Sequence, residues 1–362
     1  MSHYLLRIIE VFAIGFIGAM LVTPLSIKVA HRLDIIDRPR SDRRIHDRPI
    51  PRFGGMGIVA GTLLAMIVPA VSNPQLRIAM LGGLMMYILG ACDDKFDLKP
   101  IIKFIGQLGI ATIVYFLGIK ISFVGHLFNM SHSAANIVLN GGLAYLITVL
   151  WIVGVTNAVN LMDGMDGLAA GTTAIMTLSL AYVAYIHGTR LGSMSVCIAL
   201  VAVAGSCIGF LPYNFSPAKT FMGDGGSLFL GYMIAVLSVI SPLKRATMVG
   251  AIIPILALAV PIFDTAFAIV RRLARGQSIM TADKEHLHHH LMNAGFGQRR
   301  SVLVIYGIVG IMGIVAVLMS RELYKDAFFL ALIALLYLAI IIVPKQPEKK
   351  LAERKNKKNE IK

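Results

Sequence analysis

The chain has 362 residues, 57% of them hydrophobic and 15% charged, with a net charge of +15 and a mean hydropathy of +0.75. That balance excludes an ordinary soluble globular protein and predicts an all-α, polytopic helical membrane bundle, since a chain in lipid must satisfy its own backbone hydrogen bonds. The apolar runs are continuous rather than alternating, which argues against strands, and the positive charge reads as basic cytoplasmic loops rather than a nucleic-acid surface.

Eleven spans are expected in chain order, at about 4–27, 53–72, 76–92, 101–119, 141–158, 168–187, 194–212, 226–241, 246–270, 302–320 and 327–343. The first lacks a basic leader and a small-residue cleavage pattern, so it reads as a retained span. The third is short: Ile78 to Cys92 covers about 22 Å as a helix, against a hydrocarbon core of about 30 Å. Either it starts nearer Pro74, or the bilayer thins, or the acids that follow sit in the interface. Pro254 and Pro261 predict a kink in the ninth. Residues 1–343 form one transmembrane catalytic domain in this reading, and 344–362 a basic cytoplasmic tail. Cys92, Cys197 and Cys207 have no metal-ligand or disulfide spacing and read as buried thiols.

Loops on alternate sides differ in charge. One set carries Arg32, Arg38, Arg40, Arg43, Arg44, Arg48 and Arg52, then Lys95 and Lys99, Lys219, Arg271, Arg272, Arg275, Lys284, Arg299 and Arg300, and the Lys-rich tail. The other has only scattered basic residues, from Arg77 and Lys120 to Arg321 and Lys325. The positive-inside rule makes the first set cytoplasmic, with the N-terminus outside and the C-terminus inside. Three acidic segments then share the cytoplasmic face with the histidine run His286–His290.

Those segments carry the chemistry. In Asp93-Asp94, adjacent carboxylates repel unless a cation neutralises them, which suits a metal ligand or a proton acceptor; Lys103 follows where a helix start faces an anion. Asn157, Asn160, Asp163 and Asp166 recur every third residue and would share one face of a helix or turn. Their oxygens suit Mg²⁺ or Mn²⁺ rather than Zn²⁺. Gly164, Gly167 and Gly171 let a ligand approach the backbone beside a helix start. Asp224, between Gly223 and Gly225, reads as a helix N-cap in too apolar a setting for a plain surface cap, hence as a third metal contact. His286, His288 and His289, with Arg271 and Arg272, read as anion-binding groups for a phosphorylated substrate. Arg44, His46 and Arg52 are a second such group, and Asp264 after Pro261 has an ionic or substrate role. As plain structure, these groups would be a solvated helix end, a polar loop and positive-inside charge.

Six motifs stand in order: Arg43-Arg44-Ile45-His46 through Arg52-Phe53-Gly54-Gly55; Asp93-Asp94-Lys95; Asn157 through Leu168; Phe221-Met222-Gly223-Asp224-Gly225-Gly226-Ser227-Leu228; Pro261-Ile262-Phe263-Asp264; and His286-Leu287-His288-His289. Together, over roughly residues 35–300, they resemble the polyprenyl-phosphate N-acetylhexosamine-1-phosphate transferases of the glycosyltransferase 4, MraY-like superfamily. The TagO/WecA branch is the better match, through Pro-x-x-Asp and His-x-His-His. The MraY branch, which acts on UDP-MurNAc-pentapeptide, shares the run His288-His289-His290. Arg271-Arg272-Leu273, Asp283-Lys284 and His286 favour the first branch.

The resemblance implies transfer of GlcNAc-1-phosphate from UDP-GlcNAc to undecaprenyl phosphate. UMP is released, and a teichoic acid or other surface polysaccharide is initiated at the cytoplasmic face of a bacterial plasma membrane. It implies Mg²⁺, with Mn²⁺ the alternative, at Asn160 and Asp224, and Asp93, Asp94, Lys103 and Asp163 in the catalytic group. Substrate contacts fall to Asn157, Asp166, Arg44, His46, Arg52, Asp264, Arg271, Arg272, His286, His288 and His289. The partners are the two substrates and membrane lipids, with a homodimer as a further candidate and no nucleic acid. The alternatives are an MraY-like pentapeptide transferase, a cation transporter with acids at mid-membrane, and a lipid-anchored scaffold.

Overall fold

The computed structural model describes residues 2–38, 49–121, 123–124, 137–191, 194–241, 249–274, 276, 287–293 and 295–342. Its helices are α1 (Ser2–Leu33), α2 (Gly55–Val71), α3 (Pro74–Phe96), α4 (Pro100–Phe116), α5 (Gly141–Met162), α6 (Leu168–Leu191), α7 (Met194–Asn214), α8 (Gly223–Ile240), α9 (Val249–Ala257), α10 (Ala259–Ala274), α11 (Leu287–Asn293), α12 (Gln298–Ser320) and α13 (Tyr324–Ile342). The described parts of the eleven apolar segments are mostly helical, the ninth being divided between α9 and α10. Among the described residues, seven helices have the length and composition of a full span, and α2 and α4 are shorter apolar helices. The expectation of no strands fails in the loops: β1 (Ile36–Asp37) pairs antiparallel with β2 (Ile50–Pro51), and β3 (Phe123–Val124) with β4 (Ile137–Val138). These two-residue ribbons lie between helices, where continuous apolar runs carry no information about pairing.

Local chemistry sets the helix ends. Asn73 caps α3, its Oδ1 accepting from the backbone N–H of Gln75 at 3.0 Å and of Leu76 at 3.4 Å, with Pro74 as the first helical residue. The helix thus begins at Pro74, and its 23 residues span about 34 Å. That resolves the apparent shortness of the third span, and it puts Asp93 and Asp94 in the last turn rather than in a loop. The expected kink is a break at Leu258, between α9 and α10. Pro261 supplies no N–H, and its ring crowds the carbonyl four residues back, that of Ala257, where α9 stops.

Helix α8 is the axis of the bundle. Its apolar window is 89% buried, against 17% for α1, so α1 faces lipid while α8 is enclosed by protein. On α1 many apolar side chains are exposed, among them Leu5, Ile9, Ile17, Leu21 and Leu25. Around α8 pack α3 and α5, with α2 and α7 behind. Lipid is as apolar as leucine, so close backbone approach rather than water exclusion holds such helices together. Gly90 of α3 is such a point: a Cβ there would overlap the backbone of Asp224 and Gly225 at the start of α8.

That contact makes a prediction. Gly90→Ala should destabilise the protein by about 1–3 kcal/mol, read as a lower midpoint of thermal unfolding in detergent. At Gly109 of α4 nothing lies within 4 Å of an added Cβ, so Gly109→Ala should be neutral or stabilising. Equal effects at the two positions would contradict the packing described.

Candidate active site at the α3–α8 junction

The first N–H groups of a helix have no partner within it, and inside a bundle water cannot serve them. At the start of α8 they are served from α3. Asp94 Oδ1 accepts from the N–H of Asp224 and Oδ2 from that of Gly225, each at 3.0 Å. The carboxylate is 1% exposed, and the Arg52 guanidinium lies 3.7 Å from Oδ1. Gly223 starts α8 at φ +69°, a conformation that suits glycine, and a Cβ there would strike the Asp94 carboxylate. Asp94 is therefore the cap of α8, supplied from another helix. The expectation that Asp224 caps α8 is corrected: Met222 holds that position without a side-chain bond, and Asp224 stands in the first turn. There an acid is still favoured by the helix dipole.

Beside this junction, Lys103 from the first turn of α4 donates to Asp93 Oδ2 at 2.9 Å and to Asp224 Oδ2 at 2.5 Å. Asp93 Oδ1 accepts from the N–H of Leu98, which orients it. From the last turn of α5, Asn160 Nδ2 donates to Asp224 Oδ1 at 3.2 Å and to Ser227 Oγ at 2.8 Å. Four helices thus meet on Asp224. Asp163 ends α5 as its C-cap, and burial together with the Asp224 carboxylate pushes its carboxyl up to about 8. Among the described residues, Asp93, Asp94, Asp163 and Asp224 face the cations Lys103 and Arg52.

The three-residue repeat does not converge on one face. Asn157 pairs with Gln107 of α4, a fully buried side chain, and donates to the carbonyl of Val153 at 2.8 Å. Asp166 is 3% exposed, and its Oδ2 accepts from the N–H of Ala218 at 3.1 Å. The cause is that α5 stops at Met162, so Asp166 belongs to the turn before α6 and faces the loop before α8. Neighbouring groups hold that turn. The N–H of Gly167 donates to Asn214 Oδ1 at 3.0 Å, Asn214 Nδ2 donates to the carbonyl of Thr220 at 3.0 Å, and Tyr306 of α12 donates to the carbonyl of Gly167 at 2.5 Å.

Asp264 lies in the first half of α10, and its Oδ1 accepts from the N–H of Leu287 at 2.9 Å. It thereby ties the Pro-x-x-Asp segment to the helix of the histidine run. Arg271 is half-buried and Arg272 buried in the last turn of α10. His290 is exposed on α11. Arg44, His46 and His286, with the tail beyond Ile342, lie outside the described residues, as do the side chains of His288 and His289.

Gln107, Asn214 and Tyr306 escaped the reading of the sequence. A lone amide in an apolar helix is itself a signal, and Gln107 and Asn214 could have been found that way; Tyr306 carries none.

The donors suit a hard divalent cation: carboxylates and an amide oxygen, with no sulfur. The Oδ1 of Asn160 accepts no hydrogen bond among the described residues, which leaves it for such an ion. The described residues hold no cluster of three His, Cys, Asp or Glu side chains arranged for a metal.

The profile of Glycosyl transferase family 4 matches residues 76–242, from α3 through α8. The chain is 39% identical over 342 residues to the probable undecaprenyl-phosphate N-acetylglucosaminyl 1-phosphate transferase of Bacillus subtilis, covering 94% of this chain and 93% of that one. It is 33% identical to the decaprenyl-phosphate N-acetylglucosaminephosphotransferase of Mycobacterium leprae, covering 84% and 79%. It is 31% identical to the phospho-N-acetylmuramoyl-pentapeptide-transferase of Desulforudis audaxviator, covering 82% and 92%. With acids gathered at helix ends around one lysine, and similarity running nearly end to end, the chain belongs to glycosyl transferase family 4, within the MraY-like superfamily of polyprenyl-phosphate sugar-1-phosphate transferases.

Proposed function

We propose that the chain transfers GlcNAc-1-phosphate from UDP-GlcNAc to undecaprenyl phosphate, the initiating step of a cell-wall glycopolymer. The observation that supports it best is the meeting of Asp93, Lys103, Asn160 and Asp224 at the ends of four helices. A transporter would hold its acids at mid-membrane instead. A phosphate oxygen of the lipid forms a bond to the β-phosphorus of the donor. The bond from that phosphorus to the bridging oxygen breaks, and its electrons leave with UMP. Asp224 and Asn160 would hold Mg²⁺, or Mn²⁺ in its place, with Asp163 near; bound there, the ion neutralises the diphosphate and stabilises the leaving group.

Lys103 draws a phosphate oxygen into the cluster, and Asp93 holds the lysine in place. The lipid phosphate has its second ionisation near pH 6 and needs little help to become a nucleophile. Asp94 already spends both oxygens on α8, so its role is to position Asp224 rather than to take a proton. Asp166 contacts the nucleotide from the turn before α6. Arg44, His46, Arg52, Asp264, Arg271, Arg272, His286, His288 and His289 hold phosphate and sugar, and Asn157 acts through its pair with Gln107. The proposal is made for a single chain and calls for no second copy.

The donor is the finer part of this reading, because relatives named for GlcNAc and for the muramoyl pentapeptide both align with the chain. With purified protein, Mg²⁺ and undecaprenyl phosphate, UMP should form from UDP-GlcNAc at least about 100-fold faster than from UDP-MurNAc-pentapeptide, a margin of about 2.7 kcal/mol. Labelled UMP should exchange into UDP-GlcNAc, since one phosphoanhydride replaces another, and Asp224→Asn should lose at least about 100-fold in kcat. Comparable rates with both donors would move the protein to the pentapeptide branch, and no UMP from either would sink the transferase reading.

A cytoplasmic membrane location with the site facing inward rests on loop charge. In a background lacking native cysteines, single cysteines at Lys99, Lys219 and Gln298 should resist a membrane-impermeant thiol reagent in intact cells. One at Lys325 should react. Reversed labelling would invert the topology and remove the site from cytoplasmic nucleotide sugars.

A further inference from the structure

The turn that carries Asp166 is gripped in part from α12, outside the region that the family profile matches. Gly167, at φ +79°, has its N–H bonded to Asn214 on α7 and its carbonyl bonded to the Tyr306 hydroxyl on α12. The same carbonyl also accepts from the N–H of Gly171 at 3.0 Å, in the first turn of α6. The Tyr306 ring lies directly over Gly171, where a Cβ would overlap it. On the other side of Asp166, Arg299, seven residues before Tyr306 on α12, donates from Nε to the carbonyl of Ser216 at 2.8 Å. Ala218, two residues on, gives its N–H to the Asp166 carboxylate. The two loops that aim Asp166 are thus held by one helix, through Tyr306 on the turn before α6 and Arg299 on the loop before α8.

We infer that Tyr306 is a positioning residue for donor binding: its hydroxyl fixes the Gly167 carbonyl and so sets the orientation of Asp166 toward the nucleotide of the sugar donor. Gly171 is part of the same device, because only a residue without a side chain admits the ring. The inference rests on the proposal that Asp166 contacts the nucleotide. It assigns Tyr306 to the donor, since its bond lies directly on the Asp166 turn and reaches the Asp94 anchor of the Lys103–Asp224 cluster only through four further contacts.

The test is steady-state UMP release by purified full-length protein, with UDP-GlcNAc and undecaprenyl phosphate varied separately. Tyr306→Phe should raise KM for UDP-GlcNAc about three- to tenfold, the effect of one lost neutral hydrogen bond, with kcat and KM for the lipid within about twofold of wild type. Gly171→Ala, which displaces the ring, should do the same, and the double variant should be no worse than Gly171→Ala alone, because both changes act on one contact. A fall in kcat with donor KM unchanged, equal shifts in both KM values, additive effects, or no change would each overturn the inference. Asp166→Asn separates the two levels. Donor KM unmoved by Asp166→Asn would remove the nucleotide contact and this inference with it. Donor KM raised by Asp166→Asn while Tyr306→Phe is silent would overturn this inference alone.

Discussion

A helix that begins packed against its neighbours has buried N–H groups that need acceptors, and the site depends on how α8 solves this. Its acceptor is the Asp94 carboxylate, supplied from the end of α3. That bond requires α3 and α8 to approach until Gly90 touches the Asp224 backbone, and it requires a left-handed Gly223 to clear the carboxylate. Once these are in place, Asp224 has little freedom left. Lys103 and Asn160 can then reach it from α4 and α5 without further loop structure. The Asp-Asp pair divides its work: Asp94 is buried as an anchor, and Asp93 turns to the lysine.

The charge balance of the cluster explains why it stands at helix ends. Among the described residues, four carboxylates stand against Lys103 and Arg52, and burying them all ionised would be costly; burial first, and then the Asp224 carboxylate, raise the Asp163 carboxyl. A divalent ion with its phosphates would lower that cost, but phosphates bring charge of their own and need water nearby. Only the face of the bundle offers both the low-polarity wall for a lipid acceptor and access for a nucleotide sugar. The acids of α3, α5 and α8 accordingly lie in a last turn, a C-cap and a first turn.

The sequence made the helices legible because lipid imposes one period and one length on a span. Loop charge adds an expectation of sidedness that needs no knowledge of packing. The break at Leu258 could be read from Pro254 and Pro261, since proline acts locally. Contacts between helices could not. Asn157 and Asn160 stand three residues apart, yet one turns to Gln107 and the other to Asp224, a choice set by which helix is adjacent. Asp224 looked like a cap because the true cap comes from 130 residues away. The ribbons β1–β2 and β3–β4 had no alternating pattern long enough to declare them.

The same distinction separates the chemistry from its support. Groups that meet phosphate must be ionisable or strongly polar, and in an apolar chain such groups stand out. Groups that aim them need only one well-placed donor on a rigid element. Tyr306, Asn214 and the backbone of Thr220 belong to this second kind. They connect through a continuous path, from Tyr306 to Gly167, Asn214 and Thr220, and on through the Thr220 hydroxyl to the carbonyl of Pro51 at 2.9 Å. Arg52 follows Pro51 and reaches Asp94. The turn that holds Asp166 and the carboxylate that holds α8 are therefore ends of one polar chain across the face of the bundle. In a bundle whose helices gain little from apolar contact with one another, such a chain joins three loops, at Pro51–Arg52, Gly167 and Thr220, to α3, α7 and α12.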